Sequence, residues 1–118
     1  MDAAYDALER KKLQLLEQLA ELEVEQQRRR GMLDNVPHFS EIEDAGQNLG
    51  RLLSRLSQSR LANEVAAGEP VTRACPTCRQ TCRVEVVKRT VTGLDGPVDM
   101  MESKAHCPAC RRDFFPST

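Results

Sequence analysis

The chain of 118 residues has no tryptophan, one tyrosine and three phenylalanines. That scarcity excludes a core built on large aromatic side chains, so aliphatic helix packing or a bound metal must supply much of the stability. No stretch approaches the roughly 18 apolar residues of a membrane helix, and the opening MDAAYDALERKK holds no apolar run for a signal peptide. A cytoplasmic location without membrane contact is therefore expected. There is no glycine-rich phosphate loop, no nucleophile–base motif and no carboxylate set on a rigid scaffold. These absences predict that the chain is not an enzyme and takes no small-molecule substrate. They also leave its five cysteines as the main chemical signal, and in a reducing compartment those point to metal or thiol chemistry rather than to a disulfide framework.

The net charge is −1, but its distribution is uneven. Residues 1–70 carry nine Lys/Arg against thirteen Asp/Glu, and residues 71–118 carry eight against five. Four thiolates on one divalent ion would bring −2 to the second part and leave it nearly neutral. Its basic excess does not by itself announce a nucleic-acid binder.

Two helices are expected first. Residues 3–30 place Tyr5, Leu8, Leu15, Leu19 and Leu22 at alternating spacings of three and four, with Lys12 and Gln26 in the same stripe and Leu16 beside it. Asp2, Asp6 and Glu9 at one end and Arg28, Arg29 and Arg30 at the other suit the helix dipole, and Gly31 is a natural stop. The three arginines could also form a phosphate-binding patch. After a turn at DNVPHFS, Ser40 and Glu43 have capping-box spacing for a helix over about 41–66. Its apolar face includes Ile42, Ala45, Leu49, Leu52, Leu53, Leu56 and Val65; Gly46 and Gly50 would weaken it unless another helix approaches there. The two helices are expected to form an antiparallel, coiled-coil-like hairpin over 1–66. Two helices bury little, so a homodimer or a partner's helices through residues 3–66 are expected.

AAGEP breaks the pattern, giving a linker at 67–70 and a second domain at 71–118. There RVEVVKRTVT (83–92) reads as a strand, GLDGP (93–97) as a turn and VDMMESKAH (98–106) as the returning strand. Around this hairpin lie Cys75-Pro-Thr-Cys78 and Cys107-Pro-Ala-Cys110, separated by 28 residues. Each pair sets two thiolates on one tight turn, and two such turns supply a tetrahedron that suits one Zn²⁺ ion. The fold class expected is a small α+β protein, a helical hairpin followed by a Cys₄ zinc ribbon. A redox pair would belong beside a βαβ pattern, which is not visible, and an iron–sulfur cluster could use the same four ligands. Cys82 is expected just outside the ligand set, and His106 beside Cys107 in a supporting or surface role. Arg79 and Arg111 follow the knuckles where a left-handed backbone is often required.

The expected nucleic-acid contacts are Arg79, Arg83, Lys88, Arg89, Lys104, Arg111 and Arg112, set against the alternative of a solvated charged face. Phe114 and Phe115 could stack on bases or close the underside of the ribbon.

RACPTCRQTC, RTVTGLDGPVDM and HCPACRRDFFP together resemble the N-terminal zinc-ribbon region of bacterial insertion-sequence transposases of the ISKra-type group. The likeness covers about residues 49–118, including LGRLLSRLSQSRLA, and is weaker over the first helix. In that family a helical segment precedes the ribbon and a DDE-class catalytic domain follows it. The resemblance implies zinc at Cys75, Cys78, Cys107 and Cys110 and a role in recognising DNA, with a nucleoid-associated location if DNA is bound. The chain reaches Thr118 where such a transposase would continue, so the acidic triad for strand transfer is expected to be missing. The function expected is a non-catalytic, transposase-like DNA-binding or assembly module. The alternatives are a protein-interaction adaptor in which zinc is a structural clip, and a thiol redox protein.

Overall fold

The computed structural model describes residues 2–31 and 37–116. Helix α1 spans Ala3–Arg29 and helix α2 Phe39–Ala67; strands β1 (Thr72–Ala74), β2 (Thr81–Gly93), β3 (Gly96–Cys107) and β4 (Arg112–Phe114) follow. The strands form one antiparallel sheet in the order β1-β2-β3-β4, so the small α+β architecture is as expected. The chain divides into two compact units, residues 1–49 and 50–118. The division falls inside α2, whereas the composition break at 67–70 begins at the helix's last residue, Ala67. No helix among the described residues is long and apolar enough to cross a membrane.

In the first unit, α1 is capped by its own sequence. The Asp2 carboxylate accepts the Tyr5 amide at 2.6 Å, and Gly31, at φ 75°, donates to the Arg28 carbonyl at 3.0 Å. Glycine adopts that left-handed conformation without a Cβ penalty, which is why the helix stops there. The expected turn at 34–40 lies partly on residues 32–36, outside those described. The expected capping box does not form, because α2 starts at Phe39, about two residues earlier than expected. Ser40 sits inside the first turn, and its amide and hydroxyl both meet Nδ1 of His38, at 3.3 and 2.9 Å.

α1 and α2 face each other across an apolar groove of about 230 Å³, lined by Ala20, Glu23, Val24 and Gln27 on one helix and Ile42, Ala45, Gly46 and Leu49 on the other. Both sets follow the i, i+3, i+4, i+7 spacing of one helical face. Gln27 is buried there, its Nε2 donating to Glu23 at 2.7 Å. The leucine stripe that dominates the sequence is not this face: Leu8, Leu15 and Leu22 are exposed. Nor do the glycines meet a helix, since a Cβ at Gly46 or Gly50 would find nothing within 4 Å among the described residues.

In the second unit, β2 and β3 pair from Val84↔Ala105 to Gly93↔Gly96, longer than the sequence suggests, with Leu94 and Asp95 as a two-residue loop. Gly96, which pairs with Gly93 and closes the loop, holds φ 107°, open to glycine without a Cβ penalty. The later turns of α2 run along β3. Ser54 Oγ donates to Asp95 Oδ2 at 2.6 Å and Arg55 to the Asp95 carbonyl at 2.8 Å. Ser59 Oγ donates to the Asp99 carbonyl at 2.5 Å, and Asn63 Oδ1 accepts the Met101 amide at 2.8 Å. Arg55, Ser59 and Asn63 are four apart, one polar stripe on α2. It satisfies the Asp95 carbonyl in the loop and, on the edge of β3 that β4 reaches only at Ala105–Cys107, the Asp99 carbonyl and the Met101 amide. On the sheet, Arg89 holds the buried Glu102 with both carboxylate oxygens, at 2.8 and 3.0 Å.

Candidate metal centre

Each C-x-x-C turn lies between a long strand and a short one. Cys75 to Cys78 join β1 to β2, and Cys107 to Cys110 join β3 to β4. Because β2 and β3 pair along their length, both turns come to the same end of the sheet. The three-residue strands β1 and β4 were not legible in the sequence. They anchor the outer side of each turn through Arg73↔Cys82 and His106↔Asp113. In the first turn, the Cys75 amide donates to the Gln80 carbonyl and the Arg79 amide to the Cys75 carbonyl, both at 2.8 Å. Arg79 has φ 64° and Arg111 φ 55°, the left-handed backbone their positions after each knuckle implied. A non-glycine residue there costs about 1–2 kcal/mol.

The four sulfurs of Cys75, Cys78, Cys107 and Cys110 all lie within 4.8 Å of one another. Cys75 and Cys110 are 3.8 Å apart and Cys78 and Cys107 3.5 Å. These separations exceed the roughly 2.05 Å of a disulfide, and all five cysteines are free thiols. They fit a tetrahedral thiolate centre, where bonds of about 2.3 Å place ligand sulfurs about 3.8 Å apart. Four cysteines, two from each turn, thus form a cluster suited to one metal ion.

The local backbone favours charge on particular sulfurs. The amides of Cys78 and then Thr77 point at the Cys75 sulfur and lower its pKa from 9.0 to about 6. The Cys110 amide, 3.4 Å from the Cys107 sulfur, lowers that thiol too. Cys110 is pushed up to about 12, first by its hydrogen bond with Cys78 and then by burial. Without an ion, the cluster therefore keeps a proton on Cys110 that a metal must displace.

Cys82 is buried, 3% exposed, and lies outside the quartet. Its thiol donates to the Gln80 carbonyl at 3.3 Å, and burial raises its pKa. With Cys75, Ala105 and Cys107 it forms a small core, against which Val84, Cys110 and Phe114 pack. His106 points at Asp113 at 2.8 Å, and Lys104 meets the same carboxylate at 3.2 Å. The Asp113 pKa is lowered by His106 first and Lys104 second.

The cationic residues divide into two groups. Arg89 is engaged by Glu102, Lys104 by Asp113, and Arg112 donates to Thr77 Oγ1 at 2.7 Å, tying the second knuckle to the first. Arg79, Arg83, Lys88 and Arg111 are exposed and make no ion pair among the described residues. The Arg112–Thr77 link and the α2–β3 tether were missed from sequence. The tether's one available signal was the polar spacing of Arg55, Ser59 and Asn63. Phe115 is more exposed than Phe114. No family model, curated protein or solved structure gives a match to this chain.

Proposed function

We propose that the chain is a non-catalytic Cys₄ zinc-ribbon module that binds DNA or helps assemble a complex on it, in a transposase-like setting in the cytoplasm. The observation that carries the reading is the tight sulfur quartet with Arg79 and Arg111 beside it. Tetrahedral all-thiolate sites favour zinc among the divalent ions that cells supply, because zinc has no geometric preference of its own and accepts four thiolates readily. The same left-handed turns that let two knuckles close around one ion carry Arg79 and Arg111 as free guanidiniums. Arg83 and Lys88, on β2, add two more free cations. Phosphate attraction of this kind is sequence-independent and falls steeply with salt.

The test is fluorescence anisotropy of a labelled duplex titrated with the zinc-loaded chain at two salt concentrations, beside an Arg79→Ala/Arg111→Ala variant. Salt-sensitive binding weakened by the variant is the expected result. No binding at low salt would overturn it and favour the second reading, an adaptor that pairs through its helices with zinc as a clip. Exposed Leu52, Leu53, Leu56 and Leu61 on α2 are the observation behind that alternative.

A further inference from the structure

Two residues that line the groove between α1 and α2 are not accounted for by the packing of the hairpin. The first is Gln27, 8% exposed. Its Nε2 donates to Glu23 Oε1 at 2.7 Å, which fixes the orientation of the amide, because an ionised carboxylate can only accept. Its Oε1 is then buried with no hydrogen-bond partner among the described residues. A buried acceptor left unpaired forfeits its hydration without return, so an orphan of this kind calls for a donor. The second is Gly46. A glycine inside a helix costs stability, which a packing role can offset. Here it sits on the groove face of α2, and a Cβ built on it meets nothing within 4 Å. Glycine at that position keeps the groove open.

We propose that this groove is the seat of a tryptophan side chain from a partner protein, its indole N–H donating to Gln27 Oε1. The inventory of donors selects it. The occupant must bring one donor to one end and apolar surface elsewhere, because Ala20, Val24, Ile42, Ala45 and Leu49 line the groove with side chains that hold no polar atom. Hydroxyl and amide side chains bring an acceptor as well, and those walls have no donor for it. Lysine brings three donors and arginine five, against one orphaned acceptor. Tryptophan combines a large apolar ring with a single donor and no acceptor.

Size points the same way. The groove holds about 230 Å³, below the roughly 300–1,000 Å³ of sites for drug-sized ligands and suited to one large side chain. The 118 residues contain no tryptophan, so a second copy of them cannot supply it. A single aromatic anchor seated between two helices is a common way for a helical or extended segment of another protein to be held. The inference rests on neither reading of the sulfur cluster.

Nuclear magnetic resonance titration of the full zinc-loaded chain tests it, with N-acetyl-tryptophanamide as the probe. The Gln27 side-chain amide and the Gly46 backbone amide should shift together. Methylating the indole nitrogen of the probe should weaken binding about tenfold, the loss of one hydrogen bond to a buried acceptor. Gln27→Met should bring the two probes to equal affinity, which the bulk of the methyl group could not explain. Gly46→Leu should fill the groove and abolish binding while circular dichroism shows both helices kept. Shifts elsewhere or none, equal affinity for the two probes on the unaltered chain, or discrimination that survives Gln27→Met would each overturn the proposal. So would binding of 3-methylindole without binding of N-acetyl-tryptophanamide, since the groove would then admit a free ring but not one carried on a peptide.

Discussion

The two units handle their apolar and polar groups in opposite ways. In residues 50–118 the interior is small and chemically specific: sulfur atoms, Ala105, Val84 and one edge of Phe114, with polar bonds holding helix to sheet. In residues 1–49 the hairpin buries one face and leaves leucines outside. The first arrangement is suited to one metal ion, and the second leaves leucines in water.

Removing the metal should separate the units most. Structural zinc binding contributes on the order of 10 kcal/mol or more, far beyond what so small a core can replace. Chelation, or Cys107→Ser, should abolish hydrogen-exchange protection in β1–β4 while α1 keeps its helical circular dichroism. Acid should act in the same direction. Metal holds the thiolate forms, so lowering pH returns protons to the sulfurs and releases the ion. Cys75, held at about 6 against an ordinary 9.0, favours the fold fully above 9.0 and loses that contribution as pH falls through about 6. Metal release followed against pH should therefore show affinity rising steadily from pH 6 to 9.

A smaller break in the second unit comes from its buried carboxylate. Arg89→Met leaves Glu102, 5% exposed, without its guanidinium. The cost should be about 2–3 kcal/mol, below that of a fully buried pair because Arg89 is half exposed. Urea unfolding should show this loss, and Glu102→Gln in the same chain should recover part of it. Next in size is the helix–strand tether. Ser59→Ala and Asn63→Ala should each cost about 1 kcal/mol, and Asn63→Ala should speed exchange of the Met101 amide specifically. In the first unit the expected effect is smallest and of opposite sign. Gly46→Ala meets no neighbour within 4 Å, so it should stabilise α2 by roughly 0.5–1 kcal/mol, read as a higher unfolding midpoint.

The same contrast governs what could be read before the fold was known. The cysteine quartet was legible because C-x-x-C spacing constrains geometry locally, and the hairpin between the pairs because β-branched residues mark the strand and the run GLDGP the turn. Both helices were legible from their period, and α1 also from the residues at its ends. The position of the hairpin contact was not, since the most regular leucine stripe and the stripe that meets α2 differ in the face they take. Strands β1 and β4 are too short for any periodicity and exist through pairing with β2 and β3. The α2 start was misread because a histidine nitrogen, not the serine hydroxyl, meets the first turn. The tether to β3 joins residues about forty apart through side chains that read as ordinary helix polarity. Metal identity and partner choice are settled by affinity rather than by pattern.

The polar stripe on α2 has a consequence for how the sheet meets other extended chains. Ser59 and Asn63 occupy the Asp99 carbonyl and the Met101 amide, and β4 covers the far end of β3, so a foreign strand meets fewer free backbone groups on that flank. β2 is different: β1 covers it only through Thr72–Ala74, and beyond Val84 its outer flank carries no strand among the described residues. The outer flank of β2 is therefore the more open of the two edges to an added strand.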